Sequence, residues 1–473
     1  CLTVVSKVLG FIREASLAAV FGATAVTDAY LVAQTIPTLF FATISSALTT
    51  TFIPVYSHIR ENDGQEAAFG FAGNVMWAAL GLGLVFVVTG EILADPLVRL
   101  VAPGFGGSVV DLTVYLSRII FPAMIFQLLS GVMTGILQAH GQFGISTVAG
   151  LVQNMIIIGS ILFFGPQYGI PAVATGTLLG TGLATLVKAP ALQQTGFRWR
   201  GQFDVRDSGI RRMLMLMLPT IVGAGAGQLN GLVDRILASR LPGGRIAALN
   251  YANRLVALAP GILGAPILTV AYPTLARLAA RNKWDAFNAG LIDALSLVHL
   301  LLAPIAVGVL VLREPLVRIV YQRGAFDTVA AEQTVWAVLF LSLGVGISTM
   351  RNLVSRAFCT MQDTVTPAVL GFITVMINVA LNLLLVGPLE QGGLALATTL
   401  ASLVGLMASL LVLKRKSSAA LPLRALLGSM ARTGLAALGM GIVTWMMQAR
   451  IFAAFPVHGA TMELAMLIPI VGI

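Results

Sequence analysis

Four charged residues, Lys7, Arg13, Glu14 and Asp28, lie in an opening stretch that is otherwise apolar enough for a bilayer, V-S-K-V-L-G-F-I-R-E-A-S-L-A-A-V-F-G and onward. Asp234, Arg235 and Arg254 sit in a second such stretch. Charges at membrane depth are costly and normally face a bundle interior or a wet cavity. On a helix, Lys7, Gly10, Arg13 and Glu14 fall on roughly one face, and a guanidinium presents a planar fork suited to phosphate or carboxylate oxygens. These residues are expected to line one shared water-filled cavity that takes an anionic group, with pyrophosphate an obvious candidate. The alternative is structural ion pairing, of Arg13 with Glu14 or Asp28 and of Arg235 with Asp234.

A second cluster is polar rather than basic. Asp234, Asn378, Asn382 and Thr398 offer oxygen ligands that would suit a hard cation such as Na⁺, with the two asparagines one turn apart on one face. The same residues could equally glue helices together through hydrogen bonds. Neither catalysis nor a resident cofactor finds support. The four histidines form no H-x-x-x-H or Cys/His cluster, and no glycine loop followed by Lys-Ser/Thr marks a nucleotide site. The chain reads as non-enzymatic.

The elements that must position these residues are membrane helices. Of 473 residues, 57% are hydrophobic and only 10% charged, with mean hydropathy +0.92; soluble domains carry about a quarter charged residues. The expected fold is an all-α polytopic membrane protein with about fourteen spans, each near the ~20 residues a bilayer requires. They are placed at about 3–22, 27–56, 68–93, 109–139, 143–164, 170–192, 210–238, 245–276, 286–312, 328–360, 365–387, 392–413, 421–448 and from 456 on. Pro260, Pro266 and Pro273 punctuate the eighth. The formal charge of +10 reflects arginine and lysine in short loops after even-numbered spans, such as Arg60, Arg198, Arg211, Arg277 and Lys416. The positive-inside rule explains that bias without nucleic acid and puts both termini in the cytoplasm. Two cysteines, Cys1 and Cys359, exclude a disulfide framework. Cys1 suggests numbering that begins inside a longer chain, and no cleavable signal peptide is visible because the first apolar run is charged.

An internal repeat organises the spans. Asp95-Pro96-Leu97-Val98-Arg99 matches Glu314-Pro315-Leu316-Val317-Arg318, in two segments that look like short amphipathic interfacial helices. Gly165-Pro166 matches Gly387-Pro388, Thr177 matches Thr399 and Arg13 matches Arg235. The spacing covers six helices, so two six-helix lobes related by a pseudo-twofold axis are expected around a central cavity. The corresponding divisions are 1–192 for the first lobe, 193–212 for a cytoplasmic linker with an amphipathic segment, 213–416 for the second lobe, and 417–473 for two appended helices, the last cut short.

Several motifs carry a resemblance: S-K-V-L-G-F-I-R-E, T-D-A-Y-L-V-A, A-P-G-F (102–105), G-I-L-Q-A-H-G-Q-F (135–143), Y-A-N-R-L (251–255), Q-R-G-A-F (322–326) and R-A-F-C-T-M-Q-D-T-V-T-P (356–367). Together they resemble the MurJ-type (MviN-like) lipid II flippases of the multidrug/oligosaccharidyl-lipid/polysaccharide exporter superfamily, nearly end to end. The resemblance implies movement of lipid-linked peptidoglycan precursor from the inner to the outer leaflet of a bacterial cytoplasmic membrane by alternating access. It implies that Arg13, Glu14 and Arg254 engage the pyrophosphate and gate the cavity, and that Ser6 and Asp28 fall on motif positions. It also implies that Asp234, Asn378, Asn382 and Thr398 form a sodium site, and that membrane lipid and cell-wall synthesis proteins are partners. Three departures stand out. Phe41 and Ala42 occupy positions where arginine is expected after Ile-Pro, Ala257 lies where an acidic residue often follows Y-A-D-R-L, and Asn382 stands where a carboxylate would hold Na⁺ more strongly. The alternative reading is a flippase for another polyprenyl-linked oligosaccharide, or a cation-coupled exporter like those of the multidrug and toxin extrusion (MATE) type. A non-transporting scaffold for cell-wall assembly is disfavoured by the intramembrane charges.

Overall fold

The computed structural model describes residues 2–199, 204, 208–417 and 419–454, and among these no strand forms. The helices run in chain order as α1 (Leu2–Phe21), α2 (Ala25–Asn62), α3 (Gln65–Ile92), α4 (Ala94–Val101), α5 (Gly107–Ile120), α6 (Ala123–Ala139) and α7 (Gly144–Gly159). A π-helical turn, Ser160–Phe164, leads into α8 (Gly165–Tyr168), α9 (Ile170–Leu186), α10 (Ala189–Gln194) and α11 (Ser208–Ala238). Then follow α12 (Arg245–Val256), a second π turn at Pro260–Gly264, α13 (Ala265–Ala280), α14 (Trp284–Val311), α15 (Arg313–Tyr321), α16 (Thr328–Thr360), α17 (Val365–Lys416) and α18 (Leu423–Ala454).

Helix covers each of the first thirteen expected spans, and nine helices among the described residues are long and apolar enough to cross a membrane. The fourteenth, with most of the linker 200–207 and the side chains of Phe41 and Ala42, lies outside the described residues. Large apolar side chains such as Val270, Leu384 and Leu435 are 70% exposed or more. Lipid is the solvent that makes this favourable, and helix pairs the backbone polar groups that lipid cannot.

Prolines and caps set the breaks. The eighth span divides into α12, the Pro260 π turn and α13, because a proline ring removes a donor and clashes with the preceding turn. α17 holds the eleventh and twelfth spans, kinked at Glu390, whose φ of 50° and ψ of −130° leave the helical region. Glu390 is held there by Arg245 at 2.6 Å. Asp327 caps α16 by accepting from Ala330 N at 2.8 Å, and Thr24 caps α2 through Thr27 N at 3.4 Å.

The chain forms two compact units, Cys1–Gly244 and Arg245–Ile473. In the first, α2 is the central element, packing on α3, α5, α6 and α11. Phe52 stacks on Tyr56 and Phe71, with ring centroids 5.4 and 5.6 Å apart. α11, which the sequence repeat groups with the second lobe, packs against α2 in this unit. In the second unit α16 packs on α17 and α12, and α14 on α18.

Internal features recur in both units. α4 carries the ion pair Arg99 to Asp95 at 2.9 Å, and α15 carries Arg318 to Glu314 at 2.5 Å, both one turn apart.

Candidate functional site

Arg13 lies near the middle of α1, on the face that packs against α7. Its Nη2 donates to Glu14 Oε1 at 2.8 Å and its Nη1 to Asn154 Oδ1 at 3.2 Å. Asn154 is oriented in turn, because its Nδ2 donates to Gly150 O at 3.0 Å. Ser6 sits two turns earlier against the same helix, and a Cβ added at Gly150 would lie 3.5 Å from Ser6 Oγ. The Glu14 side chain is 5% exposed and that of Arg13 26%. A nearly buried carboxylate thus supports an arginine whose side chain is about three-quarters buried. With five N–H donors in the fork, Arg13 can hold its two neighbours and still present hydrogens to an anion.

A buried polar relay runs through the same unit. Gln34 Nε2 donates to the Tyr30 hydroxyl at 2.5 Å. Tyr30 pairs with Thr177 Oγ1 at 2.8 Å, and Thr177 donates to Val173 O at 2.9 Å. Full satisfaction of such a chain fixes α2 against α9 at one register. Lys188, 6% exposed, is likewise held by hydroxyls, those of Ser130 at 2.5 Å and Thr134 at 2.8 Å. None of Asn154, Tyr30, Gln34 or Lys188 stands out in the sequence; polar residues inside apolar runs, with Tyr30 and Gln34 one turn apart, are the available signal.

Asp28 is placed differently from Arg13. It is 2% exposed in the first turn of α2, and its Oδ2 accepts from the Gly244 main chain at 2.6 Å. Gly244 has φ +90°, and a Cβ there would come within 2.1 Å of Ala23 O, so only glycine allows this closure. Asp28 therefore ties the last residues of the first unit to the start of α2.

In the second unit Arg254 is exposed in the last turn of α12. Tyr251, three residues earlier, is fully buried among Tyr321 and Phe326, with centroids 5.2 and 5.7 Å away, and its carbonyl accepts from the Tyr321 hydroxyl at 3.1 Å. Y-A-N-R-L and Q-R-G-A-F thus meet in one aromatic cluster that anchors α12 while Arg254 stays accessible.

The polar trio of the second unit also comes together. Asn382 Nδ2 donates to Asn378 Oδ1 at 2.8 Å, and Asn378 Nδ2 donates to Thr398 Oγ1 at 3.2 Å. Asn382 is 0% and Asn378 2% exposed. This is hydrogen-bonded glue between the two halves of α17, built from neutral groups. Asp234, partly buried near the end of α11, belongs to the first unit. A hard cation prefers several oxygens with carboxylates among them; the trio supplies three oxygens without charge, two of them already accepting hydrogen bonds. Among the described residues no group of three or more His, Cys, Asp or Glu side chains is placed to hold a metal.

The fold is that of an all-helical polytopic membrane protein, the architecture expected for the exporter superfamily named above. A solved inward-facing MATE-family multidrug resistance transporter of that superfamily is similar at a TM-score of 0.73 with 15% identity, covering 87% of this chain and 96% of the other. A solved lipid II flippase MurJ in an inward closed conformation is similar at 0.85 with 23% identity, covering 99% and 95%. The sequence profile described as "Lipid II flippase MurJ" matches residues 17–465. The probable lipid II flippase MurJ of Haemophilus influenzae is 30% identical over 426 residues, 85% of this chain and 82% of the relative. The lipid II flippase MurJ of Burkholderia cenocepacia is 27% identical over 405 residues, 84% and 78%. The chain belongs to the MurJ family of lipid II flippases.

Proposed function

We propose that this chain moves lipid II from the inner to the outer leaflet of a bacterial cytoplasmic membrane, with both termini on the cytoplasmic side. Membership of the MurJ family supports the cargo, and the observation that carries the mechanism is Arg13, held by Glu14 and Asn154 inside the helix bundle with donors of its fork to spare. A pyrophosphate brings oxygens that compete with the Glu14 carboxylate for the same fork. Binding therefore exchanges one charge-assisted bond for another, and release restores the Arg13–Glu14 pair, so the site holds its load without trapping it. Arg254 supplies a second cation, and Ser6 lies on the same helix two turns before Arg13. The polyprenyl tail stays in lipid while the headgroup crosses by rocking of two lobes. A carrier of cationic drugs would place acidic groups where these arginines stand. Sodium coupling would draw on Asp234, Asn378, Asn382 and Thr398, of which the last three meet as a neutral hydrogen-bonded trio.

Complementation tests this reading. In a strain depleted of its own flippase, Arg13→Ala and Arg254→Ala at normal protein levels are expected to leave lipid II headgroups shielded from an outside probe and growth arrested. Wild-type growth of both variants would contradict the charged-site role.

A further inference from the structure

Another arginine of the expected spans lies outside the site described above. Arg351, on α16 nine residues before its end, is partly buried, and its Nε is buried with no hydrogen-bond acceptor. Among the described residues no carboxylate pairs with it; Asp363, in the loop that follows α16, is held by Lys416 and Thr366. A guanidinium cannot shed its charge in a protein, so this one needs a counter-charge from elsewhere. The side chain borders a cavity of about 130 Å³ lined also by Asn352, Ser355, Pro367, Thr374 and Ser409. That is room for several waters or one small anion, given that a single water needs only ~15 Å³. Gly405 makes the space: a Cβ there would meet Thr374 Oγ1 at 2.6 Å and Arg351 Cδ at 3.1 Å. Arg351, Asn352 and Ser355 supply donors from one helix. The hydroxyls of Thr374 and Ser409, which now donate to Leu370 O and Gly405 O, can rotate toward a ligand.

We infer that this cavity binds a phosphate-type oxyanion, free or carried on a lipid headgroup, with Arg351 as its counter-charge. The planar fork matches oxyanion geometry. The site is separate from the Arg13 cluster and stands whether or not the cargo is lipid II. It also bears on the trio above, since Asn378 follows Thr374 by one helical turn, and a positive charge at that end disfavours a cation nearby.

The test uses the whole chain in detergent with sodium gluconate as the baseline salt. Inorganic phosphate is added in one arm and phosphatidylglycerol micelles in another, with phosphatidylcholine as control. Wild type is expected to melt several degrees higher with one of the two phosphates, since a ligand bound only to the folded state stabilises it. Phosphate as the effective arm identifies a free ion, and phosphatidylglycerol alone identifies a lipid headgroup. Arg351→Met should lose that shift and, in gluconate alone, melt no lower than wild type, because it deletes an uncompensated charge. Ser355→Ala should weaken the response several-fold, and Arg13→Gln should keep it. No shift in wild type from either phosphate, an equal shift in Arg351→Met, or a shift lost only in Arg13→Gln would overturn the assignment.

Discussion

Glu14 follows Arg13 directly in α1, and its Oε1 lies 2.8 Å from Arg13 Nη2. Adjacent helical positions point about 100° apart and do not normally meet; the contact forms because Asn154 on α7 draws the other nitrogen of the fork across at 3.2 Å. Removing either support should therefore loosen Arg13. Glu14→Ala is expected to lower stability by about 1–3 kcal/mol, the cost of losing a hydrogen bond to a charged group. Asn154→Leu should cost less and reduce flipping severalfold. Thermal unfolding in detergent and a lipid II translocation assay on the same preparations read both effects.

Gly104, in A-P-G-F, has no room for a side chain. A Cβ there would lie 2.4 Å from Ser239 O and 2.5 Å from Arg240 Cα, both backbone atoms, and its N–H already donates to Ser239 Oγ at 3.2 Å. Gly104→Ala is expected to destabilise by about 1–3 kcal/mol through overpacking. An unchanged melting temperature would show that the turn after α11 yields freely.

Asp363, in the loop between α16 and α17, links one end of α17 to the other. Its Oδ2 accepts from Lys416 Nζ at 2.6 Å and from Thr366 Oγ1 at 2.6 Å, while Oδ1 accepts from Thr366 N at 3.0 Å. The Lys416 ammonium, with the Thr366 hydrogen bonds, holds its carboxyl down at about 2. Because the folded value lies below the unfolded one, near 4, the stabilisation is complete above about pH 5 and is lost as pH falls toward 2. Melting temperatures of wild type and Asp363→Asn should differ at pH 6 and converge near pH 2. A constant gap across that range would refute the linkage.

Sodium binding should follow charge at position 382. With Asn378, Asn382 and Thr398 neutral and mutually bonded, wild type is expected to melt at the same temperature in sodium and potassium chloride. Asn382→Asp adds a carboxylate and should create a sodium-specific rise of a few degrees by ligand linkage. A sodium-specific rise in wild type that disappears in Asn382→Ala would instead establish the natural site.

The spans were legible because each is an apolar run of bilayer length, and the break in the eighth because Pro260 leaves the helix no donor. The repeat was legible in Asp95–Arg99 and Glu314–Arg318, which prove to be equivalent ion pairs on α4 and α15. The surroundings of Arg13 were not. Asn154 is 141 residues away and Thr177 lies 147 residues from Tyr30, and nothing in one chain of letters states that such positions touch. Arg351 escaped notice for another reason: it reads as one of many basic residues near a span's end, and only packing shows its Nε buried beside a polar cavity.

The central claim is most directly tested by lipid II translocation in vesicles containing the purified whole chain, comparing wild type with Arg13→Ala and Arg13→Lys. Loss of a fork that grips the headgroup predicts at least a tenfold slower rate in Arg13→Ala, with little recovery in Arg13→Lys, since an ammonium keeps the charge but not the bidentate geometry. Translocation at the wild-type rate by correctly folded Arg13→Ala protein would contradict the account.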